Sequence, residues 1–278
     1  MVRLSKVTVN LIGGVGNQLF CYFAGMAHAL RFGKDITFNL ATVMKSAQSV
    51  ATIEELNLMG RFAEVEYPIW KNPWKYKSKV VGFDKTLLNS KRIYHIEGYF
   101  QSFLYYDLFL QNYPHWKPTL SSPGSFFLEL KSKFQSEKPI VMHLRRGDYK
   151  KLQNTFGLLS ASYYLNCALQ SVKDHGLREV QIFGDEPSAN KSLAEHLSRE
   201  GFGVTVVDPM KQLTVLESLI LMSYAGINII GNSTFGWWSA RFNQYPLDIY
   251  SPAKWFKAID DPEKLKPPSW KSIESAWE

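Results

Sequence analysis

Two adjacent arginines, Arg145 and Arg146, follow the apolar run 140–144 and are the residues best suited to bind a phosphate. A guanidinium group keeps its charge at every physiological pH, and its planar fork can hold two phosphate oxygens at once. Such a group can neutralise a departing diphosphate, a task that other enzymes give to a metal ion. The alternative is a structural ion pair between Asp148 and one arginine. The place after a predicted strand favours binding, because ligands of parallel α/β sheets lie beyond the carboxyl ends of the strands.

Two further stretches have the composition of an anion site at the start of a helix. Residues 13–18 read Gly-Gly-Val-Gly-Asn-Gln and separate an apolar run from a helical pattern. Asn232, Ser233 and Thr234 also lie between a predicted strand and a predicted helix. Backbone N–H groups and the positive end of the helix dipole attract negative charge at such positions. Each motif alone can also be explained by the backbone conformation that a tight turn requires. Together with the arginines, the two motifs indicate a phosphate site.

An acidic pair, Asp185 and Glu186, ends the next predicted strand. A carboxylate at this position can bind a guanine edge or a ribose, whereas the alternative is a turn whose acid caps the following helix. The chain has no Asp-x-Asp, and its histidines and acids lack the spacing of metal ligands, so we expect neither a metal nor another cofactor. The two cysteines, Cys21 and Cys167, are far apart in apolar stretches, which excludes a disulfide framework and a cysteine zinc site.

The spacing of apolar residues predicts the elements that position these motifs. Between residues 139 and 251, short apolar runs alternate with segments of helical periodicity, which predicts a parallel sheet covered on both faces. The predicted strands are 140–144, 180–183, 204–207, 227–230 and 249–250, and the predicted helices are 162–173, 188–200, 213–224 and 234–243. The arginine, acidic and hydroxyl motifs of this half then all lie at the carboxyl ends of strands.

The first half of the chain begins with a similar alternation. Its predicted strands are 6–12, 36–39 and 92–96, and its predicted helices are 17–32, 103–108 and 125–134. The polar stretch 135–138, followed by Pro139, predicts a domain boundary. We therefore expect one Rossmann-like domain over 1–137, a second over 138–250 and a C-terminal tail over 251–278 that packs back on the domains.

The overall composition excludes several classes of protein. Of the 278 residues, 45% are hydrophobic and 14% are aromatic, which is typical of a globular chain. The formal net charge is +7, from 32 Lys and Arg against 25 Asp and Glu, but no nucleic-acid-binding module is evident. No stretch is apolar enough to span a bilayer and residues 1–10 do not resemble a signal peptide, so we expect a cytoplasmic protein. The basic and aromatic stretch 70–79 is interpreted as a solvated surface or as a contact with anionic lipids.

The motifs resemble those of the GDP-fucose-dependent α-1,2-fucosyltransferases of glycosyltransferase family 11. The stretches that carry the likeness follow the order of that family, and they are 13–20, 98–102, 143–149, 221–223 and 232–238. The resemblance implies an α/β fold of the GT-B type, in which two Rossmann-like domains face each other across a cleft. It assigns acceptor binding to 1–137 and GDP-fucose binding to 138–250, and it implies a metal-independent transfer with inversion.

The resemblance also implies roles for individual residues. Arg145 is implied as the main ligand of the pyrophosphate, with Asp148 in its orienting network. Asn17 would approach the same phosphates from the first domain, while Asp185 and Glu217 would bind the guanosine. The full set of implied donor-binding residues is Gly14, Gly16, Asn17, His143, Arg145, Arg146, Asp185, Glu217, Asn232, Ser233 and Thr234.

The reaction implied by the family is a single displacement that forms an α-linkage. The 2-hydroxyl of an acceptor sugar, a terminal galactose by resemblance, attacks the anomeric carbon of β-linked fucose, and GDP leaves. Asp148 and Glu97 are the candidates for a base that accepts the hydroxyl proton. The implied setting is bacterial surface polysaccharide or O-antigen synthesis. A lipid-linked acceptor there would bring 70–79 and Trp255 into peripheral contact with the inner face of the inner membrane.

Three alternative functions are compatible with parts of the pattern. The first is transfer from GDP-fucose in another linkage, and the second is a non-catalytic protein that binds a nucleotide or a glycan. The third, a dinucleotide-dependent oxidoreductase, is disfavoured because the glycine turn lacks a third glycine and strand 36–39 ends without an acid. The chain departs from the family at Gly184, where a serine is usual, and at Ser218, where an aspartate is usual.

Overall fold

A computed structural model of the protein describes residues 5–45, 51–65, 75–207 and 212–278. These residues form two compact units that each contain a parallel sheet. Unit 1 consists of the described residues within Met1–Ser121 together with Pro262–Pro267. Unit 2 consists of the described residues within Ser122–Asp261 together with Pro268–Glu278.

The sheet of unit 1 has five parallel strands among the described residues. They are β1 (Lys6–Asn10), β2 (Asp35–Asn39), β3 (Arg61–Ala63), β4 (Lys75–Lys77) and β5 (His95–Glu97). The strand order is β3-β2-β1-β5-β4, so the glycine turn that follows β1 lies at the middle of the carboxyl edge. Glu97 ends the neighbouring strand at the same edge.

Three α-helices of unit 1 are described, namely α1 (Val15–Phe32), α2 (Ala41–Met44) and α3 (Phe103–Asn112). Helix α1 is buried along most of its length because it packs between the sheet and α3. Gly25 makes the close approach to the sheet possible, since a Cβ atom there would lie 2.6 Å from Val9 Cγ2. On the opposite side, the Phe23 ring meets Tyr106 and Phe109 edge-on at 4.6 and 5.1 Å.

The sheet of unit 2 contains six parallel strands. They are β6 (Ile140–Leu144), β7 (Glu179–Gly184), β8 (Gly203–Val206), β9 (Ile227–Ile230), β10 (Asp248–Pro252) and β11 (Lys271–Ile273). Their order is β11-β10-β9-β6-β7-β8. The central strand β6 is buried at every residue and pairs with both β7 and β9. The loops that follow β6, β7 and β9 are therefore neighbours at the carboxyl edge.

Five α-helices belong to unit 2, and they are α4 (Ser125–Glu137), α5 (Ala161–His175), α6 (Pro187–Arg199), α7 (Val215–Met222) and α8 (Thr234–Phe242). The side chains of Ile140, Met142 and Leu144 alternate along β6 and join one apolar core with residues of α5 and α6. Helix α8 covers another part of the sheet through Trp237 and Trp238, which are both completely buried. Burial on both faces explains why the central strands β6 and β9 are apolar runs.

The boundary between the units lies earlier than the sequence predicts. Helix α4 falls at the end of the predicted domain 1–137, but it belongs to unit 2. The reason is that α4 packs against α7, and the Gly124 amide at its start donates a 2.6 Å hydrogen bond to Glu217. The predicted tail 251–278 is also divided, because Pro262–Pro267 belongs to unit 1 and β11 extends the sheet of unit 2.

Candidate functional site

Arg145 lies directly after β6 and is held between two carboxylates. Its Nη1 lies 2.9 Å from Asp185 Oδ2, and its Nη2 lies 2.6 Å from Asp148 Oδ1. The guanidinium carbon also lies 5.7 Å from the centre of the Tyr149 ring. About a third of the Arg145 side chain is exposed (34%), so the group is oriented and still accessible to a ligand. The ion pair of Arg145 with Asp148 is expected both from the implied orienting network and from the alternative of a structural ion pair.

Asp185 is the fixed member of this network. Its Oδ1 accepts hydrogen bonds from the backbone amides of Arg146, at 2.9 Å, and Gly147, at 3.3 Å. A Cβ atom at Gly147 would lie 2.7 Å from Asp185 Oδ2, so the turn can approach the carboxylate this closely only with glycine. The sequence predicted Asp185 as a guanosine ligand. In the structure both of its oxygens hold the turn that carries Arg145, because β6 and β7 end side by side, and the guanosine role stays a prediction.

Arg146 has different partners from those predicted for a phosphate ligand. Its Nη1 and Nη2 atoms form a two-pronged ion pair with Glu278, at 2.5 and 2.7 Å, and Nη1 also donates to the Leu159 carbonyl at 3.3 Å. This pairing with Glu278 raises the pKa of the Arg146 guanidinium. Successive residues of an extended backbone point to opposite sides, which explains why the two arginines have separate partners.

The start of α8 forms the second part of the site. The Ser233 side chain caps the helix by accepting from the Phe235 amide at 3.3 Å, and Ser233 and Asn232 are both buried. The Tyr149 hydroxyl donates to the Asn232 carbonyl at 3.2 Å, which connects this loop to the Arg145 turn. Burial raises the pKa of Tyr149 to about 12, so the hydroxyl stays protonated. The predicted hydroxyl pair Ser233 and Thr234 thus lies at a helix start beside the arginine loop.

His143 lies within β6 under these loops and is buried. Burial, aided by the charge of Arg145, lowers the pKa of the imidazole to about 4, although the Asp185 carboxylate acts in the opposite direction. Its Nδ1 has no hydrogen-bond partner within the part of the chain that the structure describes. A Cβ atom at Gly236 would approach Nδ1 to 2.8 Å, so α8 passes close over the ring. His143 is therefore neutral and supports the packing of α8.

Glu217 has a structural role that leaves neither carboxylate oxygen free of a backbone partner. Oε1 accepts from the Gly124 amide at 2.6 Å, and Oε2 accepts from the Thr214 amide at 2.8 Å. The Thr214 hydroxyl in turn accepts from the Glu217 amide, which completes a capping box at the start of α7. The arrangement assigns both oxygens of this buried carboxylate to backbone amides, and the guanosine role implied for Glu217 stays a prediction.

Replacing Glu217 with glutamine should reduce stability in a pH-dependent manner. Burial raises the Glu217 pKa, but the hydrogen bonds from Thr214 and Gly124 outweigh it and leave the pKa below its usual value. The stabilisation is then present at neutral pH and is lost as the pH falls through the lowered pKa. We expect Glu217→Gln to lower the free energy of unfolding by about 1–3 kcal/mol at pH 7. Urea denaturation at pH 7 and near pH 3, with exposed Glu129→Gln as the control, tests this; an equal deficit at both pH values would contradict it.

Gly184 departs from the family pattern for a local steric reason. The Nδ2 atom of Asn190 donates to the Gly184 carbonyl at 3.1 Å, and a Cβ atom at Gly184 would lie 2.0 Å from Asn190 Oδ1. Any side chain at position 184 therefore requires Asn190 to move. The serine that is usual in the family does not fit beside this asparagine.

We expect Gly184→Ser to destabilise the protein by roughly 1–3 kcal/mol, which is typical of overpacking. Adding Asn190→Ala should recover part of the loss, because the smaller side chain removes the clash. The measurement is urea denaturation of the two single variants and the double variant. A double variant that loses the sum of the two single effects would show that the positions are independent and the steric explanation wrong.

The glycine turn of unit 1 has the geometry of an anion site at the start of α1. Gly13 adopts a φ of +69°, and Gly14 is followed directly by the helix. The Nε2 atom of Gln101 donates to Asn17 Oδ1 at 2.9 Å, which leaves the Asn17 Nδ2 donor beside the turn. The Gln18 Nε2 atom donates a 3.0 Å hydrogen bond to the Gly13 carbonyl oxygen. The predicted donor-binding residues of unit 1, including Gly16, are thus collected at one helix start.

Glu97 lies at the carboxyl edge of the same sheet and is paired with two lysines. Its oxygens lie 2.8 Å from Lys75 Nζ and 3.2 Å from Lys77 Nζ, and Asn10 Nδ2 approaches at 3.5 Å. Burial raises the pKa of Glu97, but the lysines and their hydrogen bonds lower it further, and the net pKa lies below the usual value. Glu97 is therefore an ionised carboxylate, as a general base must be, although the lysines weaken its basicity.

One cluster in the described part of the chain has ligand atoms near enough for a metal ion, which sequence spacing did not reveal. It contains Asp174, His175 and Asp248, whose ligand atoms lie within 4.8 Å of one another. The Lys271 ammonium lies 2.7 Å from both carboxylates. Asp248 and Lys271 each begin a strand, so the cluster is at the amino edge, away from Arg145. We interpret it as an ion pair network that attaches β11 to the sheet.

The structure bears on the predicted membrane contact at one residue. Trp255 is only 1% exposed, so it cannot contact a membrane as predicted. Residues 70–74 of the basic stretch lie outside the described residues, while Lys75 and Lys77 pair with Glu97. No helix in the described ranges combines the length and the apolar character needed to span a bilayer.

Comparison with known proteins identifies glycosyltransferases as relatives. The chain is 24% identical over 275 residues to an α-1,2-colitosyltransferase of Escherichia coli, covering 91% of this chain and 93% of that protein. It is 32% identical over 134 residues to the O-antigen biosynthesis glycosyltransferase WbnK of Escherichia coli, covering 46% of this chain and 42% of WbnK. No family model matches the chain.

Solved structures of fucosyltransferases share the fold. The fucosyltransferase NodZ from Bradyrhizobium aligns with 94% of this chain and all of its own, with a TM-score of 0.53 and 12% identity. POFUT1 in complex with GDP-fucose aligns with 89% of this chain and 98% of its own, with a TM-score of 0.53 and 14% identity. The likeness confirms the predicted GT-B class of the α/β fold. The chain is thus related in sequence to glycosyltransferases and in fold to fucosyltransferases.

Proposed function

We propose that the protein transfers L-fucose from GDP-β-L-fucose to the 2-hydroxyl of a terminal galactose, with inversion and without a metal ion. The observation that carries this proposal is the Arg145 guanidinium, which Asp185 orients at the carboxyl edge beside the start of α8. An oriented guanidinium next to a helix start is suited to a diphosphate leaving group. The similarity to an α-1,2-colitosyltransferase supports the linkage, and the O-antigen relative supports a surface polysaccharide as the acceptor.

The donor diphosphate would bind between the Arg145 turn and the start of α8. Arg145 would bind its oxygens through the guanidinium, and Ser233 and Thr234 would add a hydroxyl and the positive end of the helix dipole. Because Asp185 is already bonded to two backbone amides, we assign it to the positioning of Arg145 and not to the guanosine. As the glycosidic bond breaks, negative charge grows on the diphosphate, and the fixed positive groups stabilise it without rearrangement.

Asp148 would act as a placeholder for the diphosphate, which means that its carboxylate occupies the Arg145 guanidinium until the diphosphate binds. It pairs with Arg145 at 2.6 Å, but half of its side chain is exposed (51%). A diphosphate that binds Arg145 would take over this ion pair and release the Asp148 carboxylate. The released group would then be available as a base for the acceptor hydroxyl, and Glu97 stays the other candidate base. The acceptor hydroxyl would lose its proton as its oxygen bonds to the anomeric carbon and the bond from that carbon to GDP breaks.

A second candidate donor follows from the sequence relatives. The colitosyltransferase matches nearly the whole chain, and colitose is the 3-deoxy form of L-fucose. The two transferred sugars therefore differ by one hydroxyl. The geometry around Arg145 serves both, so only the sugar pocket distinguishes them.

Product analysis tests the proposed donor, acceptor and linkage together. Purified protein would be incubated with GDP-fucose or its 3-deoxy analogue, with a panel of β-galactosides, in the presence of a chelator. We expect a fucosylated galactoside whose NMR spectrum shows an α-linkage at the galactose 2-hydroxyl. Transfer from the deoxy donor alone would replace fucose with colitose, and another linkage would overturn the α-1,2 assignment. Loss of transfer in chelator, restored by a divalent cation, would contradict the metal-free mechanism.

A further inference from the structure

Residues 276–278, here called the tail segment, pair with the loop 155–160, here called the support loop. Leu159 and Trp277 form an antiparallel bridge, the Ser160 amide donates to the Ala276 carbonyl at 2.8 Å, and the Glu278 amide donates to the Leu158 carbonyl at 2.9 Å. The Trp277 ring also lies over Gly157, where a Cβ atom would come within 2.4 Å of it. The tail segment is thus attached to the support loop by backbone and side-chain contacts.

The support loop in turn holds both loops that are proposed to bind the diphosphate. The Asn232 Nδ2 atom, in the loop before α8, donates to the carbonyls of Phe156 at 2.9 Å and Gly157 at 3.2 Å. The Arg146 Nη1 atom, in the Arg145 turn, donates to the Leu159 carbonyl at 3.3 Å. One loop therefore connects the two halves of the candidate phosphate site.

Glu278 makes the strongest contact between the tail segment and this site. Its two carboxylate oxygens bind Arg146 in the two-pronged geometry that fixes a guanidinium most firmly. The Arg146 side chain is 16% exposed and the Glu278 side chain is 41% exposed, so the pair is sheltered on the Arg146 side and open to water on the Glu278 side. Its backbone amide is bonded to Asp185, which also orients Arg145. Lys257 Nζ also donates a 3.0 Å hydrogen bond to the main-chain oxygen of Glu278.

We propose that Glu278 is a positioning residue for the donor diphosphate, a role that rests on the proposed function. Glu278 holds the Arg146 guanidinium and so fixes the backbone of the turn. The Arg146 amide in turn binds Asp185, which sets the direction of the Arg145 guanidinium. Glu278 itself touches no substrate in this proposal. Small displacements of a positioned group weaken transition-state contacts strongly, so the effect of Glu278 should appear in donor binding and turnover.

The test compares Glu278→Ala and Glu278→Gln with the matched control Glu274→Gln, which changes an exposed glutamate of the same terminal stretch. We expect Glu278→Ala to raise the donor KM and the Kd for GDP by about 5- to 20-fold, while the acceptor KM stays as in the wild type. Glu278→Gln keeps the side-chain size and should give an intermediate effect. The control should match the wild type in both constants. Calorimetry gives the Kd, and initial rates with each substrate varied in turn give the two KM values.

Arg146→Ala, alone and combined with Glu278→Ala, completes a double-mutant cycle. If Glu278 acts through Arg146, the double variant should bind GDP no more weakly than the more affected single variant. Additive losses, or a Glu278→Ala protein with wild-type GDP affinity and donor KM, would overturn the inference. A change in melting temperature with unchanged donor KM would assign Glu278 to stability only. A wild-type protein that does not bind GDP would overturn the proposed function first, and the inference with it.

Discussion

Replacing Arg145 with alanine should abolish most of the transfer activity while leaving the fold intact. The structure orients this guanidinium just after β6, where the Asp185 carboxylate fixes its direction. Removing one fixed donor to a developing negative charge costs about 10²- to 10³-fold in kcat. We expect a loss of that size in kcat and a weaker affinity for GDP, measured by initial rates and by calorimetry.

Two matched variants make the Arg145 result specific. Arg145→Lys keeps the charge but loses the planar fork, so it should recover only a small part of the activity. Arg146→Ala removes the neighbouring charge and should cost less than Arg145→Ala, because Arg146 is directed to Glu278. Transfer by Arg145→Ala within threefold of the wild type would contradict the assignment of Arg145 as the diphosphate ligand.

Replacing the two carboxylates that flank Arg145 with amides, one at a time, should change GDP affinity in opposite directions. Asp185→Asn places an amide N–H against either Arg145 or the backbone amides of the turn, so the turn loses a hydrogen bond whichever way the amide faces. Leaving donors unpaired in this way costs about 1–3 kcal/mol, which corresponds to roughly 5- to 150-fold weaker GDP binding. Asp148→Asn instead removes the charge that competes with the diphosphate.

For Asp148→Asn we expect GDP to bind about two- to fivefold more tightly, since an exposed ion pair is worth up to about 1 kcal/mol. Transfer should nevertheless be slower if Asp148 is the base, because the amide cannot accept the proton. Calorimetric titration of both variants with GDP, at low and at high salt, separates the two roles. Weaker GDP binding by Asp148→Asn would show that this residue positions Arg145 and is not a placeholder.

The sequence predicted the strands that are rich in apolar residues and missed three short strands at the sheet edges. Every run predicted as a strand in the second half forms one, because central strands of a covered parallel sheet need apolar side chains on both faces. Strands β3, β4 and β11 were missed. Each has three residues, lies at the edge of its sheet and contains polar side chains, so no periodicity reveals it.

The site was predicted at the level of its loops and less well at the level of its contacts. Strand ends and residue types were sufficient to place Arg145, Asp148 and Ser233 at one carboxyl edge. Strand ends and residue types could not indicate that Glu278 binds Arg146, because the two residues are 132 positions apart and no local sequence pattern predicts such a pair. The role of Glu217 had a readable signal, since Thr214 stands three residues before it in the order of a capping box.

The most direct test of the proposed function is the rate of GDP release from GDP-fucose, with and without β-galactosides. We predict slow release alone and a large increase with one acceptor, accompanied by one equivalent of fucosylated product and undiminished by chelator. The Arg145→Ala protein should show neither. Tight GDP binding without release or product, across acceptors and with both the fucose and the 3-deoxy donor, would contradict the proposal and identify a protein that binds the nucleotide without catalysis.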